Sequence, residues 1–159
     1  MTYEQIELDI VNRLAVLTAA NVVVVPMPEV QGDYKRPVGT GMRVSVMYKS
    51  SEFEKPISTG NVVQKEIISI DVMLQASQLR GAHGLYRLQE AVRRRLIGFR
   101  PTSCDRLYAV ENGYTDWREN VWTHTFTFAC VSMAVEDLDA SEEVLITKIM
   151  FDEPLIIGG

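Results

Sequence analysis

The stretch that decides the fold runs from Gln64 to Pro101, QKEIISIDVMLQASQLRGAHGLYRLQEAVRRRLIGFRP. Over residues 62–75 the even positions Ile68, Ile70, Val72 and Leu74 are apolar, while Lys65, Ser69, Asp71 and Gln75 share the odd face with Ile67 and Met73. Side chains alternate across a strand, so the pattern predicts a half-buried strand. A polar turn, Arg80-Gly81-Ala82-His83-Gly84, follows. Leu85, Leu88, Val92, Leu96 and Ile97 then recur at steps of three and four, and Arg87, Gln89, Glu90, Arg93 and Arg94 lie opposite them. That spacing predicts an amphipathic helix packed on the strand. Gly98 tolerates a left-handed C-cap and Pro101 blocks resumption, so the helix is expected to end near Ile97.

Around this unit the chain has 159 residues, enough for one domain that buries its core without disulfides or a structural metal. No apolar run reaches the roughly 18 residues that span a bilayer, and Met1-Thr2-Tyr3-Glu4-Gln5 lacks the pattern of a signal peptide. Residence in a cytoplasm is the expectation. Cys104 and Cys130 are expected to be unlinked thiols in a reducing compartment. The net charge of −5 is unevenly spread: residues 1–60 carry 6 bases and 7 acids, 61–110 carry 8 and 4, and 111–159 carry 2 and 10. A basic middle and an acidic end either neutralise each other within one molecule or meet across neighbouring subunits.

Thr2-Tyr3-Glu4-Gln5 has the form of a capping box, with Gln5 reaching back, and Tyr3, Ile6, Ile10, Leu14 and Leu17 predict a first helix to about Ala19. Val22 to Val25 reads as a short buried strand stopped by Pro26, and Met27 to Gly41 as an irregular loop. Met42, Val44, Val46 and Tyr48 alternate as a second strand; Ser50 to Asn61 is a hairpin arm or loop containing Phe53, which either folds back on the core or meets a partner. Leu107 to Val110 is a short strand and Glu111-Asn112-Gly113-Tyr114 a hairpin turn, because Asn-Gly accepts positive φ. Val121 to Met133 is a long strand with Trp122, Phe126, Phe128 and Cys130 on one face and Thr123, Thr125 and Thr127 on the other. The fold class expected is α+β, with two main helices on one face of a mixed, mostly antiparallel sheet. Residues 1–135 form the domain; 136–159 are an acidic linker plus an apolar C-terminal strand or arm. In Val144 to Phe151 both alternating faces are apolar, so this strand is either sandwiched in its own domain or paired with a neighbour.

Chemistry is sparse. There is no Gly-x-Ser-x-Gly elbow, and His83 and His124 have no signature linking them to Cys104 or Cys130. Gly39-Thr40-Gly41 precedes a strand, so no helix amides stand behind it to hold a phosphate. No catalytic, cofactor-binding or metal residues are assigned, and no cofactor is expected. Arg93-Arg94-Arg95, with Arg87, Arg100 and Arg106, is the one basic concentration. It is a solvated helix end, a protein contact or, less in keeping with an acidic chain, a nucleic-acid contact.

The run Arg80-x-x-x-Gly84-x-Tyr86-x-Leu88-x-Glu90-x-Val92-Arg93-x-x-Leu96-x-Gly98-Phe99-x-Pro101 resembles the centre of the tail terminator family of Mu-like bacteriophages and prophages. Val25-Pro26-x-Pro28-Glu29 with Asp33-Tyr34, Val46-x-Tyr48-x-x-Ser51-x-Phe53, Gln64 and Val121-Trp122 extend the likeness over residues 3 to 133. That family is similar to the terminators of lambda-like tails, α+β domains that assemble as a ring on the head-proximal end of the tail tube. The resemblance implies a non-enzymatic structural protein that stops tube growth and joins tail to head. Its implied partners are further copies of itself, as a hexameric ring, the tail tube protein and the head-tail connector protein; no membrane is involved, and DNA is only cargo passing through the ring. Its implied locations are the host bacterial cytoplasm during assembly and the virion tail. Interface candidates, chosen from pattern, are Arg93, Arg94, Arg95, Arg100, Phe53, Leu145, Ile149 and Phe151. The competing expectation is a binding or adaptor module of a prophage, or a nucleic-acid-binding domain.

Overall fold

The computed structural model describes residues 1–30, 35, 37–57 and 59–137. Helix α1 spans Tyr3–Leu14 and runs on as a 3-10 helix over Ala15–Ala20. Strands β1 (Val22–Pro26), β2 (Met42–Phe53) and β3 (Val63–Ala76) follow, then helix α2 (Leu85–Leu96) and strands β4 (Tyr108–Arg118) and β5 (Val121–Val135). The strands form one sheet in the order β1-β2-β3-β5-β4. Only β1 and β2 are parallel. The α+β class, with two helices against a mixed and mostly antiparallel sheet, is as the periodicity indicates.

The core lies where the even face of β3 meets the helices. Ile68, Ile70, Val72 and Leu74 are fully buried beside Val44 and Val46 of β2 and Phe126, Phe128 and Cys130 of β5. From above come Ile6, Ile10 and Leu14 of α1 and Leu85, Leu88, Val92 and Leu96 of α2. Each such apolar side chain contributes about 1.5–3 kcal/mol by leaving water, and Phe126 stacks on Phe128 at 4.4 Å between centroids.

Both helix starts are satisfied locally, in different ways. Thr2 Oγ1 accepts from the Gln5 amide at 3.1 Å, but the Gln5 side chain does not reach back: its Nε2 donates to Asp9 Oδ1 at 2.8 Å, one turn further on. Helix α2 begins without a side-chain cap; the Gln78 and Leu79 carbonyls take the Leu85 and Tyr86 amides at 2.8 and 3.0 Å. Gly84 permits that crossing, since a Cβ there would lie 2.6 Å from the Arg80 and Leu79 backbone.

Three expectations need correction. Helix α1 tightens after Leu14, where Thr18 Oγ1 donates to the Ala15 carbonyl at 2.7 Å and favours a shorter repeat; left-handed Asn21 (φ 61°) then ends it. Residues 111–114 are not a turn. Asn112 and Gly113 pair with Phe126 and Thr125 inside β4, between register shifts at Ala109/Glu111 and Tyr114/Asp116, and the reversal comes at Glu119 and Asn120 (φ 52° and 65°), a two-residue loop of the kind that matches strand twist. The long β5 ladder overrides the local preference of Asn-Gly. Phe53, expected in a connection, closes β2 opposite Glu66. The expectations for Val144 to Phe151 lie outside the described residues.

Candidate functional site

Helix α2 presents its arginines in three settings. Arg95 is occupied at home: its Nε and Nη2 donate to the Arg13 carbonyl at 3.2 and 3.0 Å, and Arg13 Nε returns a bond to the Arg95 carbonyl at 2.9 Å. The Arg13 guanidinium also lies 5.3 Å from the Phe99 ring centroid. This clasp locks the end of α1 to the end of α2. Arg94 pairs with Glu90 at 2.7 Å in the open. Arg87, Arg93 and Arg100 are exposed, with no ion pair among the described residues.

Arg87, Glu90, Ala91, Arg94 and Arg95 line one side of a groove of ≈ 480 Å³, closed across by Leu17 of the 3-10 helix. Arg93 is elsewhere: six residues from Arg87 at about 100° each places it roughly 120° round the helix. It shares the side of Gln89, whose Nε2 contacts His124 Nδ1 at 2.6 Å and donates to Asn112 Oδ1 at 3.4 Å. Arg100 follows the helix. The basic run therefore splits into a groove pair, a structural clasp and two outlying cations.

A second surface lies at the other end of α1. There β2, β3 and β5 run on as an arm, tied by Glu54 N to Lys65 O at 2.9 Å and Glu136 N to Val62 O at 2.8 Å. Phe53 (54% exposed), Ile57 and Val135 are open on it. Phe53 is thus neither folded into the core nor near the arginines, because α1 from Tyr3 to Arg13 separates the two by roughly 15 Å. The outer strand β4 exposes Tyr108, Val110 and Trp117. Leu145, Ile149 and Phe151 lie outside the described residues.

At the root of the arm is a polar cluster that the sequence reading missed. Tyr3 Oη donates to Glu66 Oε2 at 2.6 Å, Ser51 Oγ donates to the same oxygen at 2.7 Å, and the Tyr3 ring stacks on Tyr48 at 3.9 Å. The Glu66 bond is the first cause, and burial a lesser one, that pushes the Tyr3 hydroxyl up to about 12. Position 66 keeps phase with the apolar face of β3, which was the available signal.

Among the described residues, the two cysteines meet each other but not His124. The buried Cys130 thiol is pushed up by its bond to Cys104 and by burial, and burial pushes the His124 imidazole down. His124 and Cys130 are six residues apart on one strand, roughly 20 Å, far outside proton-transfer reach. Among the described residues, no group of three or more His, Cys, Asp or Glu is placed to hold a metal ion. No helix among them is long and apolar enough to cross a membrane.

Among solved structures, a chain in the virion of a native gene transfer agent (GTA) particle is similar, with a TM-score of 0.52 and 12% identity over 82% of this chain and 96% of that one. At that identity the likeness is one of fold. No curated protein matches the chain significantly. The family model described as Gp37 protein matches residues 10–153, running from the C-terminal part of α1 through every strand, the arm and α2 and on past Asp137. On that match, the chain belongs to the Gp37 family.

Proposed function

We propose that the protein is a structural component of a phage-like particle, and specifically the tail terminator: a ring on the head-proximal end of the tail tube that stops its growth and receives the head connector. The observation that supports this most is the agreement of fold with a chain of a GTA virion over nearly all of that chain's length. The motif resemblance supports the terminator position within the particle. In this reading the protein acts through surfaces and turns over no substrate. Six copies close the ring, the tube protein and the head-tail connector protein bind opposite faces, and DNA passes through as cargo. Assembly takes place in the host bacterial cytoplasm, and the product stays in the virion tail.

Closing a ring requires two unlike patches that meet at every junction. Arg93, Arg94 and Arg100 on the helix side and Phe53 on the arm are suited to such junctions, with Arg95 holding the helix surface in place. Leu145, Ile149 and Phe151 would add a strand to a neighbouring sheet edge. The test is deletion of the gene from its phage or prophage and measurement of tail lengths by electron microscopy. Overlong or headless tails are expected; tails of normal length on normal heads would refute the assignment.

A further inference from the structure

We propose that the groove between α2 and the 3-10 helix is the receptor for residues 138–143 of a neighbouring copy of this chain. The inference rests on the ring reading and names the contact that would build it. Its first support is chemical. The groove sets a small apolar floor, Leu17 and Ala91, beside the guanidinium-bearing Arg87 and Arg94, with the clasped Arg95 closing one end and Glu90 as the single acid. Residues 138–143 read Leu-Asp-Ala-Ser-Glu-Glu: two small or branched apolar side chains among three carboxylates, with no base. Leu138 and Ala140 match the floor, and Asp139, Glu142 and Glu143 match the rim. Arginine is the cation suited to this task, because its planar fork binds a carboxylate through two parallel bonds.

The second support is geometric and favours a contact between copies. The described chain ends at the tip of the arm, where Glu136 is tied to Val62 through its amide at 2.8 Å and its Oε2 at 3.1 Å. From there the four residues back to Glu66 cover roughly 13 Å along β3. Glu66 meets Tyr3 at the start of α1, and Arg13, the residue clasped to Arg95 at the near end of the groove, lies roughly 15 Å further in the same direction. The path is therefore close to 30 Å, with Arg87 and Leu17 beyond it. At no more than ~3.6 Å per residue, Asp139 reaches roughly 7 Å from Asp137 and Glu143 roughly 21 Å. On backbone extension alone, each of the three carboxylates stops short of this path. Exit point and receptor at opposite ends of one molecule are the arrangement a head-to-tail contact needs, with the arm of each subunit beside the groove of the next.

The test uses full-length protein and a fluorescent peptide of residues 136–145, with a scrambled peptide of identical composition beside it. Fluorescence anisotropy should show saturable binding to the wild type that weakens severalfold between 50 and 200 mM salt, since the contact is ionic and exposed. Arg87→Glu with Arg94→Glu should weaken binding at least tenfold, and Arg93→Glu on the far side less than twofold. Circular dichroism and an unchanged melting temperature confirm that the exposed substitutions leave the fold intact. No binding to the wild type, equal binding of the scrambled peptide, or equal loss in Arg93→Glu would each overturn the proposal. The outcome separates from the ring assignment: overlong tails on gene deletion with no peptide binding would retain the terminator and remove this contact. Peptide binding with normal tails would do the reverse.

Discussion

Truncating Arg95 separates architecture from assembly. In Arg95→Ala two guanidinium bonds to the Arg13 carbonyl disappear, at 3.2 and 3.0 Å, and the Arg13 side chain keeps its own bond to the Arg95 carbonyl. A bond from a charged donor contributes about 1.5–3 kcal/mol when well buried. These are only part-buried, so about 1 kcal/mol each is the better figure, and the loss is about 2 kcal/mol. For a chain of 159 residues that lowers Tm by about 4–8 °C. Arg95→Lys, with one ammonium in place of a fork, should recover about half. Scanning calorimetry on both variants and on Arg13→Ala measures this, and tail-length distributions at permissive temperature read assembly. Arg95→Ala should lower Tm and leave tail lengths unchanged. An unaltered Tm with disordered tails would refute the clasp and restore Arg95 to the contact surface.

Tyr3 gives a pH signature. Its hydroxyl titrates higher folded, at about 12, than its ordinary value of 10, so its contribution is complete below pH 10 and is lost as pH rises to 12. Denaturant midpoints should fall across that window, and Tyr3→Phe should flatten the fall; parallel curves would show that Glu66 does not hold the hydroxyl. Gly84→Ala places a methyl 2.6 Å from the Arg80 and Leu79 backbone and should cost about 2–3 kcal/mol in urea unfolding, whereas an unchanged midpoint would mean that the turn has room to open. Removal of residues 140–159 is expected to abolish rings while leaving a cooperative thermal transition; an unfolded product would place that segment in the core.

The sequence was most legible where one period served one face. The even positions of β3 and the three-and-four spacing of α2 located the core and the helix boundaries to within a residue or two. Local signals misled where a longer contact competed with them. Asn112-Gly113 is a good turn in isolation, but the 15-residue β5 holds it extended. The fate of Arg95 was not legible at all, because its acceptor is a backbone carbonyl 82 residues away and carries no side-chain signature. The groove was half legible: the basic run was plain, but which arginines share a face with Leu17 depends on where the 3-10 helix lies.

The strand order has a kinetic consequence. β2 with β3 and β4 with β5 are two hairpins of near neighbours, whereas the β3–β5 seam joins partners from Ala76↔Trp122 to Val63↔Val135, 46 to 72 residues apart. Closing so long a loop precedes any reward from its contacts, so the hairpins form early and the seam late. Substitutions along the seam, such as Phe128→Ala opposite Ile70, should then act mainly on the folding rate if docking of the two hairpins is the barrier, and mainly on unfolding if it follows the barrier.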